Sequence, residues 1–69
     1  MAESVYKIIE LIGSSPTSWE EAAKNAVETA AKSLDDIRVA EVLELDVKLD
    51  ANKAVAYRAK VKVSFKYRA

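Results

Sequence analysis

The chain has 69 residues, of which 51% are hydrophobic and 32% are charged, and its formal net charge is zero. This composition is typical of one small globular domain, here residues 1–69, near the lower size limit for a self-sufficient hydrophobic core. Cysteine and histidine are both absent, which excludes disulfide bonds and zinc sites of the Cys/His type. Subunit association is the remaining common way for such a chain to bury enough apolar surface.

The N-terminal segment lacks the pattern of a secretory signal. Lys7 and Glu10 interrupt its apolar run, which is also too short to cross a bilayer. We therefore expect a cytoplasmic protein that does not enter the membrane.

The first half of the chain predicts a strand followed by a helix. The strand covers Val5 to Ile12 and is closed by Gly13 and the turn residues after it. Ser18 and Glu21 have the spacing of a capping box, in which each side chain accepts a hydrogen bond from the other's backbone amide. We expect the helix to run from Trp19 to about Leu34. Its apolar stripe consists of Ala22, Ala23, Ala26, Val27, Ala30 and Ala31.

A second strand is predicted from about Ile37 to Leu49. Alternate residues of a strand point to opposite faces, and Val39 is an odd-numbered position like the later apolar residues of this strand. Glu41 breaks this alternation, and Val42 falls on the polar side. A bend or β-bulge near residues 40–42 would reconcile the two halves of the pattern. The apolar face then comprises Leu43, Leu45, Val47 and Leu49.

The last strand shows unbroken alternation of apolar and polar residues from Val55 to Tyr67. At about 3.3 Å per residue such a strand spans roughly 43 Å. A compact chain of this length has a radius of gyration of only about 11 Å. The strand must therefore bend strongly, extend beyond its own domain or lie within a larger assembly.

The two long strands predict a hairpin with a defined register. If their apolar sets share one face, the connecting loop has an odd number of residues, such as 51–53 or one residue more at each end. Asp46 then lies opposite Arg58, and Glu44 lies opposite Lys60. Opposite charges at directly paired positions stabilise a sheet by a fraction of a kcal/mol.

The basic residues of the last segment allow two interpretations. They either bind nucleic acid or face acidic residues on a neighbouring strand or subunit. Tyr57, Phe65 and Tyr67 share the opposite, apolar face, so the basic side has no aromatic rings for base stacking, and we favour charge pairing. The basic residues are Lys53, Arg58, Lys60, Lys62, Lys66 and Arg68.

The sequence offers little material for catalysis. Without cysteine or histidine a nucleophile would need serine or threonine with a lysine base, and residues 14–18 are better explained as turn and cap residues. We expect no enzymatic activity. Oxygen ligands for a hard cation such as Ca²⁺ are available from Glu41, Glu44, Asp46 and Asp50, without the spacing of an EF-hand.

The segments VYKIIELIGSSPTSWEEAAKNAV, DDIRVAEV and VKVSFKYR together resemble the dodecin family over nearly the whole chain. The resemblance implies an α+β subunit of order β-α-β-β, with a strongly bent three-stranded antiparallel sheet wrapped around one helix. It also implies a homododecameric hollow shell with helices outside and polar sheet faces inside. An overlong strand is accommodated by such an assembly.

The resemblance further implies a flavin site that this sequence has altered. Many dodecins stack flavin on a tryptophan, whose position holds Val39 here, and bind its edge through a glutamine, whose position holds Arg58. Asp46 matches a polar residue that approaches the ligand in some relatives. Valine has no π-face, and arginine donates hydrogen bonds but cannot accept them.

SPTSWEEAA and DDIRVA look most similar to a calcium-binding type of dodecin that lacks this tryptophan. Our leading hypothesis is therefore a non-enzymatic homododecameric shell that binds or sequesters small ligands or ions, with Ca²⁺ as the candidate ion and no metal ligands assigned. Val39, Asp46 and Arg58 are the candidate cofactor-binding residues. The alternative is a storage protein that still binds riboflavin or FMN in a rearranged site.

Overall fold

The structure, a computed structural model, describes residues 5–34 and 36–67. The elements are β1 (Tyr6–Ser15), α1 (Trp19–Ala31), β2 (Ile37–Asp50) and β3 (Lys53–Lys66). The three strands form one antiparallel sheet of order β1-β3-β2, with the helix packed on one face. The predicted β-α-β-β fold is therefore confirmed.

The core is a close contact between small helical residues and the middle strand. Helix residues at intervals of four are buried, as the apolar stripe predicts, although Ala31 is exposed. The helix ends there, earlier than predicted, and the amides of Lys32 and Ser33 donate to the carbonyls of Thr29 and Ala30, three residues back, in a tightened last turn. The buried core residues are Ala22, Ala26, Ala30, Ala59, Val61 and Val63.

The turn between β1 and α1 is organised by two serines. Ser18 caps the helix as predicted, because its side chain accepts a hydrogen bond from the Glu21 amide at 3.0 Å. The predicted return bond from Glu21 is replaced, since the Ser18 amide donates to the Ser15 side chain at 3.5 Å. The Ser15 hydroxyl also accepts from the Thr17 amide at 3.0 Å. β1 thus extends past the predicted end at Ile12 and ends at Ser15, which is buried.

β2 follows its partner with register shifts that flank the predicted bulge. One shift lies between Ile37 and Val39 and another between Val42 and Glu44. Val42 pairs with the buried Val61, so it lies on the helix side rather than on the polar side. Val39, which pairs with Ser64, lies on the opposite face from Val42. A residue added to one strand reverses which face the following side chains occupy, so the shift after Val42 reconciles the alternation in the way that the predicted bulge requires.

The hairpin turn is shorter than predicted. Asp50 pairs with Lys53, leaving two residues in the turn, Ala51 and Asn52, with φ of 52° and 63°. Positive φ at both positions is the geometry of a type I′ turn, whose twist matches that of the strands. A further register shift after Lys48 compensates for the shorter turn. The predicted pairs beyond it are therefore confirmed.

The chain is elongated, with extents of 54 × 19 × 17 Å and a radius of gyration of 14.3 Å. The helix, at 1.5 Å per residue, is about 20 Å long, whereas β2 and β3 each span roughly 46 Å. Much of the hairpin thus lies beyond the helix. Leu45 and Leu49, on the helix side of β2, remain 52% and 62% exposed in the single chain.

Candidate functional site

The sheet face away from α1 carries the charged side chains of the middle strand. Arg58, Lys60 and Lys62 alternate with the buried Ala59 and Val61, so they point away from the helix. Residues paired across strands point to the same face. This surface, which we call the open face, also includes Glu10, Ile12, Val39, Glu41, Glu44 and Asp46.

Each of these three basic residues contacts an acid on an edge strand. Arg58 bonds to Asp46 on β2, and Lys62 lies 3.5 Å from a carboxylate oxygen of Glu41 on the same strand. Lys60 pairs in register with Glu44, as predicted, but its ammonium lies 3.7 Å from Glu10 on β1 instead. Charge pairing within the sheet thus accounts for the central basic residues. Arg68 lies outside the described residues.

Asp46 and Arg58 form the best-aligned pair of the open face. Arg58 Nε donates to Asp46 Oδ1 at 2.7 Å, and Nη2 donates to Oδ2 at 2.8 Å. The hydrogen bond from Arg58 holds the pKa of Asp46 below its usual value, more strongly than desolvation raises it. The hydrogen bonds that Arg58 donates to Asp46 also raise the pKa of Arg58. Both side chains remain reachable by solvent, with exposed fractions of 41% for Arg58 and 52% for Asp46.

Val39 lies on the same face but at a distance from this pair. It pairs with Ser64, six positions along β3 from Arg58, or roughly 20 Å. The structure therefore brings Asp46 and Arg58 together and keeps Val39 apart from them within one chain. A site that includes all three residues needs a second copy of the chain.

The open face can be compared with the needs of a flavin and of a calcium ion. Val39, 60% exposed, offers apolar surface but no aromatic ring for stacking. Arg58 offers donors only, and Asp46 already engages two of them. Calcium takes six to eight oxygen ligands. Within residues 5–34 and 36–67, no group of three or more acidic side chains is close enough to hold a metal ion.

The sequence pattern predicts Trp19 at the start of the helix and indicates no connection between it and the candidate site. In the structure its indole nitrogen donates to the backbone carbonyl of Asp46 at 3.0 Å. Its ring also contacts the edge of Tyr57, with centroids 5.0 Å apart and planes at 73°. An aromatic side chain in the first helical turn is the sequence feature that could have indicated a contact with the sheet. The strand residue that it contacts depends on how the helix docks.

The chain is a small β-α-β-β protein. Its antiparallel sheet carries one helix over part of one face, and its second face is charged and open. The chain belongs to the dodecin family, whose Dodecin model matches residues 5–68. Dodecins are binding proteins. No helix in the described part of the chain has the length and apolar character needed to cross a bilayer.

Individual relatives agree with this assignment. Calcium dodecin of Mycobacterium tuberculosis is 57% identical over 65 residues, which are 94% of this chain and 92% of that protein. Its crystal structure is described as that of a calcium-chelating antigen with a novel calcium-binding site. That structure superimposes with a TM-score of 0.87, and the match covers 94% of this chain and 93% of that chain. A dodecin of T. thermophilus, 28% identical, has a TM-score of 0.87 and covers 97% of this chain and 100% of its own. The Streptomyces coelicolor dodecin, 23% identical over 100% of this chain and 99% of its own, shares the fold with a TM-score of 0.91.

Proposed function

We propose that this chain assembles into a homododecameric hollow shell that binds small ligands or ions, with Ca²⁺ as the ion, and catalyses no reaction. The observation that carries this proposal is the Asp46–Arg58 pair on the open face, together with Val39 at the other candidate position. These residues provide charge and hydrogen-bond donors but no stacking surface. Such a surface suits ions and polar ligands better than a flat aromatic ring.

The case for assembly rests on the shape of the subunit and its exposed apolar side chains. A chain of 69 residues with an extent of 54 Å has little interior of its own. Leu45, Leu49 and Val42 on the helix side of β2 are each at least half exposed. Burial of apolar surface contributes about 25 cal/mol per Å², so contacts between copies would add the stabilisation that the single core lacks.

Calcium is proposed because a relative with 57% identity is named calcium dodecin. Glu41 and Asp46 are already engaged by basic residues of β3, and the described residues of one chain hold no acidic group of three. A calcium ion would therefore take its oxygen ligands from more than one copy. This makes ion binding dependent on assembly.

A flavin-binding storage protein with a rearranged site is the second candidate. Arg58 favours it, because a partly exposed guanidinium on the open face can pair with the phosphate of FMN. Riboflavin lacks that phosphate. Under this alternative riboflavin or FMN binds, with FMN favoured by its phosphate, whereas the leading proposal expects neither to bind with strong fluorescence quenching.

Two measurements on the purified protein test the proposal. Light scattering should give a species near twelve times the chain mass of 7.6 kDa, and a stable species at the mass of one chain would contradict the assembly. Calorimetric titration should show Ca²⁺ binding that an equal concentration of Mg²⁺ does not reproduce. Absence of calcium heat in an intact dodecamer would overturn the ion assignment.

Two substitutions and two flavins complete the test. Asp46→Asn removes a carboxylate from the open face, whereas Glu28→Gln removes an exposed carboxylate from the helix. Calcium binding should weaken in the first variant and stay unchanged in the second. Parallel fluorescence titrations with riboflavin and FMN separate the leading proposal from the flavin alternative.

A further inference from the structure

Trp19 links the start of α1 to the strand that the helix otherwise contacts least. α1 packs mainly on β1 and β3, and β2 is an edge strand whose only strand neighbour among the described residues is β3. An edge strand beyond the helix lacks packing that would restrict its backbone. A specific side-chain contact there has a correspondingly large effect on local geometry.

The contacts of Trp19 fall on the Asp46–Arg58 pair and its immediate neighbour. The indole N–H donates to the Asp46 carbonyl, and the ring meets Tyr57, which precedes Arg58 on β3. Asp46 pairs with Arg58, and the adjacent pair is Val47 with Tyr57. One aromatic side chain thus contacts both strands at consecutive pairs.

Trp19 and the ion pair occupy opposite faces of the sheet. Trp19 lines a groove of about 440 Å³ with Val42 and Leu45, both on the helix side of β2. The Asp46 carboxylate lies on the open face. Because the backbone of a strand residue sets the direction of its side chain, a bond that holds the Asp46 carbonyl from one face also orients its carboxylate on the other.

We propose that Trp19 is a positioning residue that holds Asp46 where its carboxylate accepts both hydrogen bonds from Arg58. Trp19 thereby limits how freely Arg58 can turn to a competing anion on the open face. This second consequence rests on the proposed function, whereas the first concerns the free protein. A ligand phosphate that takes the Nε and Nη2 donors of Arg58 must displace the Asp46 carboxylate, and Trp19 makes that displacement less favourable.

The chain contains a single tryptophan, which allows a selective test. Biosynthetic replacement of tryptophan by 3-benzothienylalanine retains the bicyclic ring but substitutes sulfur for the N–H donor. Hydrogen exchange of Arg58 Nε–H, followed by NMR in protein carrying nitrogen-15 arginine, reports the bond to Asp46 directly. We expect exchange about two- to ten-fold faster than in the parent protein, the range that corresponds to one hydrogen bond.

Two variants separate positioning from general destabilisation. Val42→Ala truncates another side chain of the same groove without removing a hydrogen bond to Asp46, and Arg58 exchange should match that of the parent. Trp19→Phe removes the donor genetically and should match the benzothienyl protein. Equal exchange rates in the parent and the benzothienyl protein would overturn the proposal, as would equal acceleration in Val42→Ala.

Ligand binding is measured separately with inorganic phosphate as the probe. If Trp19 restrains Arg58, phosphate should bind more tightly to the benzothienyl protein than to the parent, and this gain should disappear when Arg58→Ala is added. Faster exchange without phosphate binding would retain the positioning role and refute its consequence for anions. Calcium titration of the same proteins tests the proposed function independently of either result.

Discussion

Asp46 accepts two hydrogen bonds from the Arg58 guanidinium, at 2.7 and 2.8 Å, directly across the β2–β3 pair. This arrangement requires the residues to be in register, to share a face and to meet in one plane. It combines the hairpin register with the charge pattern of the open face. The pair therefore provides both a test of the register and the main polar feature of the candidate site.

Stability in acid should depend on this pair. Because Arg58 lowers the pKa of Asp46 in the folded protein, the pair stabilises the fold above the ordinary Asp pKa of 3.8 and loses that effect as pH falls through the lowered value. The difference in melting temperature between the parent and Asp46→Asn should be constant from pH 7 to about 5 and shrink below pH 3.8. Glu44→Gln is the matched control, and an undiminished difference at pH 2 would contradict the prediction.

Flavin affinity should rise on substitution at the two positions that differ from the flavin-stacking pattern. Val39→Trp with Arg58→Gln restores a stacking surface and an amide that both donates and accepts. If copies place these residues together, stacking alone should contribute roughly 1–3 kcal/mol, or about 5- to 150-fold in riboflavin affinity. Fluorescence titration measures the change, and each single variant should gain less. An intact assembly of the double variant with unimproved affinity would show that the site differs in backbone as well.

Gly13 allows a close approach of β1 to the helix. A Cβ at this position would overlap the Ala22 carbonyl oxygen and come within 2.9 Å of the Ala26 Cβ. We expect Gly13→Ala to destabilise the protein by about 1–3 kcal/mol or more, since overpacking displaces backbone. Denaturant unfolding measures this change against the exposed neighbour variant Ser14→Ala. Equal stability of the two variants would disprove the close packing.

Ser15 should contribute more to stability than its size indicates. The residue is 2% exposed, and its hydroxyl accepts from the Thr17 amide and bonds to the Thr17 side chain at 2.9 Å. Ser15→Ala leaves these groups short of partners in a partly buried turn, so we expect a loss of about 1–3 kcal/mol in unfolding free energy. Ser33→Ala, exposed after the helix, is the control and should be nearly neutral. A neutral Ser15→Ala would mean that water replaces the hydroxyl.

Alternation, spacing and capping predicted the larger features of the fold. The buried faces of α1 and β3 repeat with regular periods, so Ala22, Ala26 and Val61 were predicted correctly. The Asp46–Arg58 pair was also predicted, because hydrophobic and charge patterns gave the same register. An irregularity in β2 was also predicted, because the alternation breaks at Glu41 and Val42, but simple alternation gave neither the faces of Val39 and Val42 nor the positions of the register shifts.

The sequence by itself determined the order of elements, the helical cap, the central pairing of the hairpin and the resemblance to dodecins. These features depend on residues close along the chain or on patterns with a fixed period. Only the tertiary structure decided that Lys60 contacts Glu10 rather than Glu44, and that Trp19 reaches Asp46. Both contacts join elements distant in sequence. Their geometry depends on how the helix docks and the strands twist, which no local pattern encodes.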